Sequence, residues 1–116
     1  VRLVIDTGMH EYGWSRDKAL AYFHEHVALS ELEIVNEVDR YISWPGQALA
    51  YKLGELTIRK LRLEAEAKLG PKFDQRKFHD IILGLGAVPL TVLESEVRRW
   101  IDETAATGPA KAIPAR

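Results

Sequence analysis

The sequence predicts an all-α fold, an irregular bundle of about six helices with one long central helix. Three observations lead there. Apolar residues recur at three- and four-residue spacings along most of the chain, and no segment alternates with the period of two that a half-buried strand shows. Caps and breakers (Ser15, Ser30, Trp44-Pro45-Gly46, Gly70-Pro71, Asp74) cut the pattern into helix-sized pieces. No self-similarity at the ~20–50-residue period of a solenoid is present. The connections are short, so neighbouring helices should pack antiparallel or at steep angles.

Residues 1 to 9 read as the end of a helix, with Val1, Val4 and Ile5 apolar and Gly8 as its stop. The pattern starts at once in "RLVID" with no cap ahead of it, as in a chain taken from a longer one. "HEYGW" is a turn, after which Ser15 caps a second helix with Asp17 in its first turn. That helix carries Ala19, Leu20, Tyr22, Phe23 and His26. In "SELE", Ser30 and Glu33 form a capping box opening a third helix with an apolar stripe of Leu32, Val35, Val38 and Ile42. Trp44-Pro45-Gly46 ends it, because a residue before proline is pushed out of the α region. Pro45 can then sit in the first turn of the longest helix, which runs to Leu69. Ala48, Leu49, Leu53, Leu56, Leu63 and Ala67 give that helix its apolar side, and Ile58, Leu61 and Ala65 widen it. Asp74 caps a short helix with Phe78, Ile81, Ile82 and Leu85; "GLGAVPL" is a loop; Thr91 starts a last helix through Val92, Leu93, Val97, Trp100 and Ile101. From Thr104 the string "TAATGPAKAIPAR" is small and proline-punctuated. Residues 1–103 are therefore assigned to a helical domain and 104–116 to a disordered tail.

The bulk numbers exclude several functions. A chain of 116 residues fits one domain and can bury roughly 65% of its unfolded surface, enough for a core without staples. Sixteen basic and 17 acidic residues give a net charge of −1, which offers no global field to a nucleic acid. With no cysteine, disulfides, thiolate zinc sites and a cysteine nucleophile are ruled out. No apolar run approaches the ~20 residues of a membrane span, and the first ten residues lack the basic and apolar regions of a signal peptide.

Four places carry side chains with chemistry. His24 and His26 in "HEH" stand two residues apart, about 200° around a helix, so only one can face a given site and surface roles are expected. Asp6 and His10 are one turn apart, where a carboxylate can orient an imidazole or both can simply satisfy a helix end. His79, beside Phe78, suits a partly buried histidine at a helix interface. The richest place is "RYISWPGQALAYKLG", Arg40 to Gly54. There Gln47, Tyr51 and Gly54 share one helix face, Arg40 can reach across the turn, and Lys52 points about 100° away from Tyr51. A phenol and a guanidinium near one point can stabilise an oxyanion. The same groups can also make a polar helix–helix contact. No phosphate loop, nucleophile elbow or complete metal site is present.

These segments resemble a known bacterial family, the domain of unknown function numbered 885. The likeness runs through "RLVIDTGMH", "GWSRDKALAYF", "EVDRYISWPGQALAYKLG" and "FDQRKFHDIILGLGAVPL" to the helix ending near Ile101. The resemblance implies a zinc metallopeptidase of the gluzincin type, whose HExxH helix and downstream glutamate precede the region present here. The chain then corresponds to the C-terminal, substrate-cleft portion of the enzyme. By that resemblance His10, Tyr51 and Arg40 stabilise the transition state, and Gln47 and Lys52 bind substrate. It implies no metal ligand in this chain, zinc in the full-length protein, and no activity for the chain alone. The partners to expect are the N-terminal remainder of the parent protein, a peptide substrate and a second copy in a homo-oligomer. Whether the parent is cytoplasmic or exported depends on its N-terminus. The rival reading is a non-catalytic helical module whose polar seam serves assembly.

Overall fold

Six α-helices and one 3-10 turn make up the described residues, 1–107 of a computed structural model. They are α1 (Arg2–His10), α2 (Arg16–His26), α3 (Glu31–Ser43), α4 (Gln47–Leu69), the turn Gly70–Lys72, α5 (Gln75–Gly84) and α6 (Leu90–Ala106). No strand occurs among the described residues, and the fold is all-α as the spacing predicts. α6 continues to Ala106, so Thr104 to Ala106 are helical and not tail. The rest of the proposed tail, 108–116, lies outside the described residues. Where one domain was expected, the chain divides into two compact units, Val1–Leu53 and Gly54–Arg116, with α4 contributing to both.

In the first unit α1, α2 and α3 pack on one another around Ile5, Ala19, Phe23, Ile34, Val38 and Tyr41. The caps behave as the sequence dictates. The Ser15 hydroxyl accepts from Lys18 N–H, and Ser30 and Glu33 close the full capping box. The stripe expected for α3 holds at Val38 and is displaced on either side of it. Ile34, Val38 and Tyr41 are buried, while Leu32 and Ile42 are exposed. Both sets have helical spacing, and the positions of Ile5 and Phe23 choose between them. Gly8 does not stop α1. It lies within the helix, and a Cβ there would fall 2.6 Å from the Trp14 indole, so glycine is required for the turn to fold back on α1.

The second unit buries Leu61, Ala65 and Leu69 of α4 against Phe78, Leu93, Val97 and Ile101. Here too the face differs from the expected one: Leu61 is 0% exposed but Leu63 is 65% exposed, and Leu56 is exposed as well. Residues 61 and 63 lie about 200° apart on a helix, so burying one exposes the other. Asp74 caps α5 by accepting from the N–H groups of Arg76 and Lys77. Arg98 on α6 pairs with Glu64 on α4 at 3.1 Å, and Lys68 pairs with Asp102 at 2.5 Å, beside an open cavity of about 470 Å³. No helix among the described residues is long and apolar enough to cross a membrane.

Candidate functional site

The joint between α3 and α4 is held from two sides. Trp44 is the last cap of α3, and Pro45 and Gly46 form the turn. Gly46 has φ +77°, a left-handed conformation that glycine adopts without a side-chain clash. Pro45 therefore stands two residues before α4 rather than in its first turn, and the Gly46 carbonyl accepts the first helical bond, from Ala50 N–H.

On the first side stands Asp6, 2% exposed and the one buried charged residue among those described. Its two carboxylate oxygens each lie 3.0 Å from the Gly46 nitrogen and accept that N–H. The same carboxylate meets His10: Nδ1 is 2.9 Å from the Asp6 carbonyl oxygen and 3.0 Å from Oδ1. Both neighbours can only accept, so Nδ1 carries the hydrogen. In the neutral ring Nε2 is then the acceptor. Asp6 and His10 line an open pocket of about 380 Å³ with Thr7, Glu11, Gly46 and Leu49.

On the second side the Gln47 amide oxygen accepts from two guanidinium groups, Arg40 at 3.1 Å and Arg2. Arg40 also makes a two-pronged pair with Glu37, at 3.1 and 2.7 Å. The Tyr41 hydroxyl donates to the same Glu37 carboxylate at 2.7 Å. Both guanidinium carbons lie over the Tyr41 ring, Arg2 at 5.0 Å and Arg40 at 5.5 Å from its centroid. The charges respond accordingly. The hydrogen bond from Arg40 holds the Glu37 carboxyl below its ordinary range, and Glu37 raises Arg40 in return, with a smaller contribution from Tyr51. Burial, reinforced by Glu37, pushes the Tyr41 phenol up to about 12. Tyr51 is 71% exposed.

The structure thus joins Arg40 to Gln47, while His10 works with Asp6 on the other side of Gly46-Gln47 and Tyr51 stands exposed one turn further along α4. Lys52 is exposed, and a Cβ on Gly54 would meet open space. Sequence reasoning missed Arg2 and Glu37. Glu37 could have been found, since it stands three residues before Arg40 and four before Tyr41. Arg2 meets Gln47 across 45 positions and has no local signal. The other histidines keep to local contacts. His24 pairs with Glu31 at 2.9 Å, and His26 stacks on Tyr22 and lies 2.8 Å from its carbonyl. His79 is exposed rather than set in an interface; its ring lies 6.1 Å from that of its neighbour Phe78.

The family model described as "Bacterial protein of unknown function (DUF885)" matches residues 1–97. The chain belongs to this family. It is also similar to the solved structure described as "the putative lipoprotein from Colwellia psychrerythraea", with 50% identity and a TM-score of 0.82. That match covers 88% of this chain but 17% of the other, so the chain spans a small part of the length of its solved relative. No curated protein matches. Among the described residues no three His, Cys, Asp or Glu side chains gather as metal ligands do. Asp6 and His10 come nearest to one another, but both Asp6 oxygens accept from Gly46 and one also meets His10. The described residues therefore do not fit a zinc centre.

Proposed function

We propose that this chain is the C-terminal, substrate-cleft portion of a larger zinc-dependent peptidase or amide hydrolase. It supplies transition-state-stabilising groups, and the metal is held by other parts of the whole protein. The observation that carries this reading is the grip on Gly46-Gln47 from both sides, which fixes His10 and Arg40 while leaving His10 Nε2 and the Tyr51 hydroxyl open to a ligand. Amide hydrolysis builds negative charge on the carbonyl oxygen, and preorganised donors aimed at that oxygen lower the barrier. Arg40 brings a permanent charge and Tyr51 a neutral O–H. His10 brings an Nε2 whose orientation Asp6 has already settled, an acceptor when neutral and a donor when protonated. Gln47 and Lys52 belong to substrate binding. The N-terminal remainder of the parent, a peptide substrate and a homo-oligomeric copy are the partners in this reading.

Two measurements test it. In the whole family protein, Tyr51→Phe should lower kcat by ~10²–10³, the usual cost of one oxyanion donor, with metal content and helicity unchanged. Equal turnover removes Tyr51 from the mechanism. The 116-residue chain alone should neither hydrolyse peptides nor bind zinc tightly, because a catalytic zinc usually needs three protein ligands. Zinc-dependent hydrolysis by the chain alone would overturn the assignment. A second reading, a non-catalytic assembly module, draws support from the long-range bonds themselves. Arg2–Gln47 and Asp6–Gly46 tie α1 to the start of α4 whether or not chemistry follows. It expects substitutions at Arg40 and Gln47 to change stability and no metal-dependent turnover in the whole protein.

A further inference from the structure

We propose that Arg2, Arg40 and Tyr51 form a carboxylate-binding site whose ligand is the terminal carboxylate of a peptide. Naming the peptide rests on the hydrolase reading; the anion site does not. The cluster holds two guanidinium groups, Arg2 and Arg40, against one carboxylate, Glu37, which leaves one positive charge uncompensated. Glu37 is committed to Arg40 and Tyr41. The hydrogen bond that Arg2 makes goes to the neutral Gln47 amide oxygen, which it shares with Arg40, and Glu37 acts on it only at longer range. Its Nε–H is buried and finds no acceptor at all. A buried donor without a partner is costly.

The missing acceptor has a definite chemistry. Arg presents its N–H groups as a planar fork that matches a carboxylate with two parallel bonds. A carboxylate placed edge-on to Nε and Nη2 of Arg2 gives the orphan its partner and replaces Gln47, whose oxygen then serves Arg40 alone. Nε itself is buried and the guanidinium lies 5.0 Å from the Tyr41 ring centroid, so the carboxylate reaches that edge by taking the place of the Gln47 amide. Tyr51, exposed one turn along α4 from Gln47, is the candidate to donate its hydroxyl to the second face of the ligand. One uncompensated charge suits a monoanion better than a dianionic phosphate.

The experiment titrates the 116-residue chain with N-acetyl-Ala-Ala as the free acid, with its C-terminal amide and with inorganic phosphate. Binding is followed by calorimetry and by the NMR resonance of Arg2 Nε–H. The acid should bind about ten-fold or more tighter than the amide, as expected for loss of a charge-assisted hydrogen bond. It should also shift the Arg2 Nε–H resonance, and phosphate should bind more weakly than the acid. Arg2→Gln should remove the difference between acid and amide, and Arg2→Lys should keep part of it, since the charge remains and the fork is lost. Should either variant lose helicity, the Arg2 resonance in the wild type still decides. Equal binding of acid and amide, tighter binding of phosphate, or an unmoved Arg2 resonance overturns the site. Those outcomes leave the hydrolase reading standing, because cleavage at an internal bond needs no terminal carboxylate. That reading fails instead on absent metal-dependent turnover by the whole protein.

Discussion

At the scale of single residues, Asp6 decides more than any other side chain in the first unit. Its carboxylate is buried, accepts the Gly46 N–H through both oxygens and holds the His10 ring. Asp6→Ala leaves the Gly46 N–H and the imidazole without their acceptor. The expected loss is about 2–3 kcal/mol, read as a lower midpoint in urea unfolding at unchanged slope. A change below half of that would mean that water takes over both bonds. His10 and Asp6 were legible as a pair, because four-residue spacing puts them on one face. That the carboxylate also caps the turn 40 positions away was not legible. The same divide separates Glu37, within reach of the Arg40 spacing rule, from Arg2, which only tertiary structure brings to Gln47.

At the scale of elements, α4 shows how an amphipathic pattern can be right in kind and wrong in phase. It offers apolar residues on two sides, one with Leu61, Ala65 and Leu69 and the other with Leu56 and Leu63. The richer stripe in the sequence is the exposed one. Leu61→Ala should therefore cost about 2–5 kcal/mol through a cavity among Phe78, Val97 and Ile101. Leu63→Ala should stay within about 0.5 kcal/mol. Thermal unfolding of the two variants side by side checks this, and a larger effect at Leu63 would restore the stripe that the spacing alone favours. Helix boundaries fared better than faces. Ser15, Ser30 and Asp74 all cap where expected, because a cap is a contact within four residues and needs no partner from elsewhere.

For the whole molecule, the Glu37–Tyr41 pair sets a pH window of stability. Glu37 is held below its ordinary value of 4.5, so its contribution is present above that value and is lost as pH falls through the folded one. Tyr41 is raised from 10.0 to about 12, so its contribution is complete below pH 10 and is lost as pH rises towards 12. Midpoints of thermal unfolding should hence fall on both flanks. Tyr41→Phe should flatten the alkaline flank in particular, since no phenol remains there to ionise. An unchanged alkaline flank in that variant would assign the loss to other groups. Many charged residues pair at the surface, such as Arg62–Glu66 within α4 and Arg16–Asp39 between α2 and α3, each at 2.7 Å, and such pairs add little each.

By itself the sequence determined the all-α class, the order of the helices, the capped starts of α2, α3 and α5, and the crowded joint at Trp44-Pro45-Gly46, because propensity, capping and breakers act over a few residues. It also determined the family, through strings such as "RYISWPGQALAYKLG" that survive without reference to any contact. Tertiary structure alone decided which helix face is buried, that the chain has two units, and that Arg2 completes the cluster around Gln47. The reason is physical. A helix repeats every 3.6 residues whichever side is covered, so its own sequence fixes a period. The phase of that period, and every bond between residues 40 or more positions apart, depends on where the other helices come to rest.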